Sequence, residues 1–218
     1  MKRVFCVLLL VTLAFVQAIA FAENEEILFR GIEWHCDIDT VATKITEEIP
    51  GRYKIKPDAR VMHQAYWSSG YIASSNKAGY SFEITPKVDC YIGGHLIEKI
   101  TADALYGISN GTITTDKAYS RFVMAEYSFT VNNQNVKNVY DDLYSKLCEI
   151  YGQPYATSDV LEMYAVWHGD NETGVYLAGS SNFLHLCYGK TDSYKDISEI
   201  LTIRNNELVS DPSSTDGL

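Results

Sequence analysis

The chain has 218 residues and a formal net charge of −10, with 46% apolar and 21% charged side chains. This length is that of one ordinary domain or two small ones, and the composition can build a core, which argues against long disorder. The excess of acidic side chains, with no basic run to offset it, argues against nucleic acid and anionic membrane surfaces as partners.

Residues 1–22 resemble a secretory signal. Lys2 and Arg3 form a basic start, Val4–Ile19 is a mostly apolar run, and Ala20-Phe21-Ala22 places small residues at the two positions that a signal peptidase reads. We therefore predict cleavage near Ala22 and a secreted or cell-envelope protein, periplasmic or extracellular. The alternative is a membrane anchor of about 17 residues. No later segment is apolar enough to span a bilayer, so we expect no integral membrane segment after cleavage.

The first half of the mature chain is predicted to be strand-rich with one helix. Asp37 is a suitable N-cap for that helix, and Pro50-Gly51 stops it. The pattern predicts a strand over 27–32, a helix over 38–49, strands over 60–68 and 79–84, a hairpin of strands 88–92 and 96–106, a polar loop over 107–116, and a strand over 119–131.

The second half contains the clearest helix, over 136–151, which has a continuous apolar stripe. Gly152 is predicted to supply a left-handed cap, and Pro154 prevents the helix from continuing. The pattern then predicts strands over 161–168, 175–178 and 183–188, a helix over 192–204, and a flexible tail over 205–218.

This order of elements predicts an α+β fold with a largely antiparallel sheet and two main helices. We expect one domain over residues 23–204. A strand, a helix and several strands occur twice, which suggests internal repeats over 27–106 and 119–190 with a boundary near 107–118.

The mature chain keeps four cysteines: Cys36, Cys90, Cys148 and Cys187. An even count in an exported protein suggests two disulfides, with three connectivities, of which Cys36–Cys90 with Cys148–Cys187 is one. Buried, unpaired thiols are the alternative, because cysteine packs as a small hydrophobe.

Few residues in this sequence point to catalysis. No Gly-x-Ser-x-Gly motif occurs, and the histidines are scattered, so we predict no metal site and no cofactor, and the catalytic residues stay unknown. A carboxylate pair for glycoside hydrolysis stays open, because 28 acidic side chains always allow one. Cys36 beside His35 is the one nucleophile candidate, and it needs a lowered thiol pKa to act. The sequence therefore favours a protein that is not an enzyme.

Two groups of short motifs resemble a family of small exported bacterial proteins. The first group is Phe29-Arg30-Gly31-Ile32 followed by Trp34, and the second is Tyr151-Gly152-Gln153-Pro154 followed by a strand carrying Trp167. Where the family has Pro-Trp-Gly, this chain has Glu33-Trp34-His35. The order of helix, YGxP and Trp-bearing strand is also similar to the tandem repeats of β-lactamase-inhibitor-like folds. The resemblance implies an exported protein that serves binding, and no activity.

The motif residues also have structural interpretations. Gly31 and Gly152 relax the backbone, and Trp34 and Trp167 are expected to be core anchors. We expect Arg30 to pair with a surface acid.

Three functional hypotheses follow, in order of preference. The first is a non-catalytic module that binds another protein, supported by the 16 tyrosines if they form an exposed patch. The second is a structural subunit of an envelope assembly, which an unpaired edge strand would favour. The third is an envelope hydrolase, which requires a deep pocket with convergent polar groups near Cys36 and His35.

Overall fold

A computed structural model describes residues 26–65, 71–158 and 163–210 of the chain. Three α-helices and eleven strands are assigned within these residues. The helices are α1 (Ile38–Glu48), α2 (Val136–Tyr151) and α3 (Ser193–Ser210). The strands are β1 (Gly51–Ala65), β2 (Tyr71–Pro86), β3 (Tyr91–Ile92), β4 (His95–Leu105), β5 (Gly107–Ser109), β6 (Thr112–Thr114), β7 (Arg121–Phe129), β8 (Ala156–Ser158), β9 (Met163–His168), β10 (Thr173–Ser180) and β11 (Phe183–Lys190).

The predicted α+β class and the antiparallel sheet are confirmed. The strands of the main sheet lie in the order β1-β2-β4-β7-β11-β10-β9-β8, and each neighbouring pair is antiparallel. Of the strands in this order, β1, β2, β4 and β7 follow α1, and β8 to β11 follow α2. The last strand of each set, β7 and β11, pair at the centre. In this order β7 is grouped with the strands that follow α1. The internal repeats over 27–106 and 119–190, with their boundary near 107–118, stay a prediction.

The two main helices pack against one face of the sheet, which we call the inner face. Their apolar stripes, including Ile45 of α1 and Leu143 of α2, join one core with alternate residues of the strands. Helix α3 lies on the opposite, outer face, where Ile197 and Ile200 pack with Leu105. Each side of the sheet therefore has its own buried apolar cluster, as the period-2 alternation of strands requires.

The strand predicted over 27–32 is wrong. This segment makes only two isolated bridges, Glu26 with Asp170 and Phe29 with Ile32. Arg30 and Gly31 both have positive φ, 54° and 68°, so the chain turns sharply between Phe29 and Ile32. That turn directs both Phe29 and Ile32 into the core, where each is at most 1% exposed.

Two further predictions underestimated the strands. Strand β1 begins at Gly51 and β2 at Tyr71, before the predicted starts at 60 and 79, whereas the predicted residues 66–68 lie outside the described residues. The first half of β1 carries alternating charges over 51–58, a pattern that does not predict a core strand. The predicted polar loop over 107–116 contains the hairpin β5–β6. Asn110 and Gly111, both with positive φ, form its two-residue turn, and Asn-Gly is a preferred sequence there.

The helix predictions are largely confirmed. Helix α1 begins after Asp37, whose side chain accepts hydrogen bonds from the amides of Asp39 and Thr40. Helix α3 continues to Ser210, so residues 205–210 are helical and do not belong to the predicted loose tail. The predicted signal peptide and residues 211–218 lie outside the described residues. Within the described ranges, no helix has both the length and the apolar character needed to cross a membrane.

The four cysteines are free thiols, so the predicted disulfides are not formed. One suggested pair is blocked by the sheet itself. Cys148 packs against the core of the inner face, whereas Cys187 belongs to a cluster with Val166 and Tyr176 on the outer face. The alternative interpretation, that the cysteines pack as small hydrophobes, is the one that the structure supports.

Candidate binding groove

A groove lies between α2 and the edge of the main sheet. Its volume is about 410 Å³, which is within the usual range of ligand pockets. Its lining residues are Lys137, Tyr140, Asp141, Tyr144, Thr157, Ser158 and Met163. The four helical residues recur at intervals of three and four, which places them on one face of α2.

The groove has an aromatic floor. Tyr140 and Tyr144 stack, with ring centroids 6.1 Å apart and an interplanar angle of 24°. The Tyr144 ring also contacts Trp167, at 5.8 Å, which fixes its position against the core. Met163 adds a flexible apolar side chain that adapts to different shapes. This lining suits an apolar or aromatic group of a ligand.

The rim of the groove carries one pair of opposite charges. Lys137 Nζ lies 2.8 Å from both carboxylate oxygens of Asp141, one helical turn away. Both side chains are more than half exposed, so the pair adds only about 0.3–0.5 kcal/mol to stability. Burial raises the pKa of the Tyr144 hydroxyl, as does a hydrogen bond with Cys148, so this floor residue is neutral at physiological pH. The groove therefore has an uncharged floor, and the two charges on its rim cancel.

The far wall of the groove is the edge strand β8. Thr157 pairs with Ala165, which lies in the inner-face core, and Ser158 pairs with Tyr164. Thr157 therefore lies on the same face of the sheet as α2. Of the helical residues of this groove, only Tyr140 belongs to the apolar stripe that the sequence predicts. The opposite wall has no local sequence signal, because Thr157 meets α2 only through the order of the strands.

A second polar cluster lies on the outer face at the centre of the sheet. His185 Nδ1 is 2.5 Å from Glu126 Oε1, Ser128 donates to the same oxygen at 3.2 Å, and the Cys187 thiol donates to Oε2 at 3.5 Å. Burial acts to raise the pKa of Glu126, but these hydrogen bonds outweigh burial and the pKa is lowered. Glu126 is therefore an ionised acceptor with both oxygens engaged.

Asp103 lies beside this cluster, and its buried surroundings disfavour the ionised form of its carboxyl group. Burial, reinforced by the charge of Glu126, raises the pKa of Asp103 to about 7, although a hydrogen bond with Ser81 opposes the shift. One oxygen, Oδ1, is buried and has no hydrogen-bond partner. The cluster contains no activated nucleophile, because burial raises the pKa of Cys187 well above its usual value.

Cys36 and His35 do not form a catalytic pair. Burial, with Asp37 adding to it, raises the pKa of the Cys36 thiol to about 11, whereas a nucleophilic cysteine needs the opposite shift. Burial lowers the pKa of His35, and so do Lys190 and Arg121. Among the described residues, no three His, Cys, Asp or Glu side chains are placed to hold a metal ion.

The residues of the first motif hold the segment before α1 against the sheet. Phe29 contacts Tyr127 and Tyr188 with ring centroids 5.1 and 5.6 Å away. Arg30 forms an ion pair with Glu48 and donates to the Tyr127 hydroxyl at 3.2 Å. Trp34, which is buried, donates from its indole to the carbonyl of Ile27 at 2.9 Å. These contacts are structural and do not form a cavity.

The residues of the second motif end α2. The amide of Gly152 donates to the carbonyl of Cys148 at 3.0 Å, and the Trp167 indole donates to the carbonyl of Gly152 at 3.0 Å. Gly152 has φ 77° and ψ −159°, so the cap is not the predicted left-handed one but an extended conformation that is almost confined to glycine. Pro154 follows this cap, and Tyr151 packs against the inner-face core. Of the motif residues, Trp167 contacts the floor of the groove through Tyr144.

The tyrosines are divided between core and surface. Tyr80, Tyr106, Tyr127, Tyr140 and Tyr176 are buried. Tyr53, Tyr91, Tyr119 and Tyr155 are more than half exposed. Tyrosines therefore lie both in the core and on the surface. Two of them, Tyr140 and Tyr144, line the groove together.

Comparisons with protein-family models, with curated proteins and with solved structures gave no match to this chain.

Proposed function

We propose that this protein is an exported, non-catalytic module that binds another protein through the groove between α2 and β8–β9. The observation that carries the proposal is the stacked pair Tyr140 and Tyr144 forming the floor of a 410 Å³ cavity. Aromatic and methionine side chains are enriched where proteins bind partners, and such a floor contributes binding energy by burying an apolar group.

The chemistry of the described residues favours binding over catalysis. The thiols of Cys36 and Cys187 are held in the protonated state, and Glu126 is engaged on both oxygens. The groove itself holds phenol, hydroxyl and thioether groups with one self-neutralising ion pair at the rim. These groups recognise a side chain well but do not activate water or form a covalent intermediate.

The proposal is tested by titrating ¹⁵N-labelled protein with p-cresol and indole, the side-chain analogues of tyrosine and tryptophan. We expect amide shift changes to concentrate at residues 137–144, 156–158 and 163, with dissociation constants in the millimolar range that is usual for fragments. Thr157→Trp, which fills the groove, should abolish these changes. Thr112→Trp is the matched control, because Thr112 is also an exposed threonine of a three-residue strand. Shift changes confined to other surfaces would contradict the proposal.

A further inference from the structure

The two terminal strands of the main sheet are protected to very different degrees. Strand β1 alternates Arg52, Lys54 and Lys56, and both lysines bind Glu83 of β2. Pro57 has no amide hydrogen, and the register of β1 is interrupted between Lys56 and Ala59. Charges, proline and bulges of this kind prevent another strand from adding to an edge.

Strand β8, at the other end of the sheet, has none of these protections. Its residues are Ala156, Thr157 and Ser158, without a charge or a proline. Within the described ranges, β9 is the strand that pairs with β8, and no strand pairs with its other side. Since an edge strand directs alternate amide and carbonyl groups away from its neighbour, β8 presents a short template for an added strand.

The groove lies directly beside this edge. Thr157 and Ser158 belong both to β8 and to the groove lining. A strand added to β8 would place the residue opposite Thr157 on the inner face, towards Tyr140 and Tyr144. Side chains two positions apart lie about 6.7 Å from one another on that face, so a cavity of 410 Å³ accepts one large or two small apolar side chains.

We infer that the partner binds as an extended segment that adds to β8 and inserts an apolar side chain into the groove. This inference rests on the proposed function and deepens it by naming the form of the partner. Main-chain hydrogen bonds to β8 supply part of the affinity, and the groove supplies the preference for apolar residues at alternate positions.

The charge of the chain favours a different protein over a second copy of this chain as the partner. Pairing β8 with β8 of a second copy would bring together two acidic molecules, because cleavage near Ala22 leaves 16 basic and 28 acidic side chains in each. Such repulsion opposes self-association at moderate ionic strength, whereas it favours a neutral or basic segment. The occupant is therefore an extended, uncharged or basic segment of another polypeptide.

The test begins with selection of linear twelve-residue peptides from a random phage-displayed library on the purified protein. The best peptide is then synthesised in two forms, one N-methylated at the odd and one at the even amides. We expect one form to lose affinity by about tenfold or more and the other to keep it, because only alternate amides face β8. Thr157→Trp should abolish peptide binding, and Thr112→Trp should not.

The remaining outcomes distinguish binding in the groove from addition of a strand to β8. If both methylated peptides bind as the parent does and Thr157→Trp still abolishes binding, strand addition is wrong and the groove function stands. If no peptide is selected while p-cresol and indole bind in the groove, strand addition is again overturned alone. If Thr157→Trp leaves the affinities of both peptide and analogues unchanged, the groove and the strand addition are both wrong.

Discussion

Asp103 shows how one buried carboxyl connects sequence to stability. Its neighbours are Ser81, which donates a hydrogen bond, and the ionised Glu126, with Glu83 and Lys99 also acting on it. Because Oδ1 lacks a partner and burial opposes ionisation, the folded protein favours the protonated acid. The unfolded chain has no such preference, so this residue makes the free energy of unfolding depend on pH.

The sign of that dependence follows from the raised pKa. Between the ordinary pKa of 3.8 and the raised value of about 7, the folded protein binds more protons at Asp103 than the unfolded chain does. The contribution to stability is therefore present below pH 4 and is lost as the pH rises to about 7, by at most roughly 4 kcal/mol. Glu126, with its lowered pKa, acts in the opposite sense and loses its contribution as the pH falls.

The substitution Asp103→Asn tests this assignment. We expect the variant to be more stable than the parent at pH 8, by about 1–3 kcal/mol, and close to the parent at pH 5, as measured by urea unfolding at both values. Asp89→Asn, at an exposed aspartate, is the control and should leave the profile unchanged. Parallel pH profiles for the parent and Asp103→Asn would show that Asp103 is ionised in the folded protein.

The thiols give a second prediction for single residues. Because burial raises the pKa of Cys187 and holds it as a thiol, we expect iodoacetamide at pH 7.5 to leave Cys187 unmodified in the folded protein. In urea, without reductant, all four cysteines should react, as peptide mass spectrometry would measure. Failure of any pair to react in urea until it is reduced would demonstrate a disulfide and contradict the unpaired arrangement.

At the scale of the element, the end of α2 was predicted correctly in position and wrongly in conformation. The sequence shows that Gly152 terminates the helix, because a glycine before a proline is a common stop signal. It does not show the ψ angle, which depends on Trp167 donating to the Gly152 carbonyl from a strand fifteen residues later. Such a contact is tertiary and has no local signature.

The two conformations predict different responses to substitution at Gly152. In a left-handed cap, asparagine would be tolerated. In the extended conformation with positive φ, both Gly152→Ala and Gly152→Asn should lower the free energy of unfolding by about 1–3 kcal/mol. Urea unfolding measures both variants, with Gly111→Asn in the β5–β6 turn as the tolerated control. A loss for alanine but not for asparagine would support the left-handed cap.

The strands show the same limit of local prediction. Strands β9, β10 and β11 alternate or carry apolar residues, and their approximate positions could be found from the sequence. Residues 51–58 carry alternating charges, so that half of β1 has no apolar alternation from which a strand could be predicted. Asn-Gly is a preferred two-residue hairpin turn, but the residues around Asn110 and Gly111 are polar, and their composition predicts a loop.

At the scale of the whole molecule, the two groups of strands meet at the β7–β11 pair and under Phe29. Phe29 is fully buried and contacts Phe122 and Tyr127 of β7 as well as Tyr188 of β11. Glu26 and Ile27 extend this connection to the start of β10, where the Ile27 amide donates to the Thr173 hydroxyl at 3.0 Å. The segment from Glu26 to Phe29 thus contacts both groups of strands.

The substitution Phe29→Ala should therefore be severe. We expect a loss of about 3–5 kcal/mol in the free energy of unfolding, because a large side chain is removed from a site where it is fully buried. Tyr53→Ala, at an aromatic residue that is 55% exposed, is the control and should cost far less. Thermal unfolding followed by circular dichroism distinguishes them, and equal losses would place Phe29 outside the core.

The groove could be predicted from the sequence only in part. The helix 136–151 was predicted with its apolar stripe, and that stripe includes Tyr140. Tyr144 and the pair Lys137 and Asp141 lie beside the stripe, where the sequence indicates only solvent exposure. These residues line a groove because the order of the strands places β8 at the end of the sheet, which brings Thr157 next to α2.

Binding of a partner protein in the groove is tested most directly in the cells that produce this protein. Benzoylphenylalanine is placed at Thr157 in the groove or at Thr112 in the β5–β6 hairpin, and the cells are irradiated. We expect a covalent adduct with one defined partner protein from position 157 and not from 112, and we expect Met163→Trp to remove it by filling the groove. No adduct at 157, or the same adduct at both positions, would contradict a partner site in this groove.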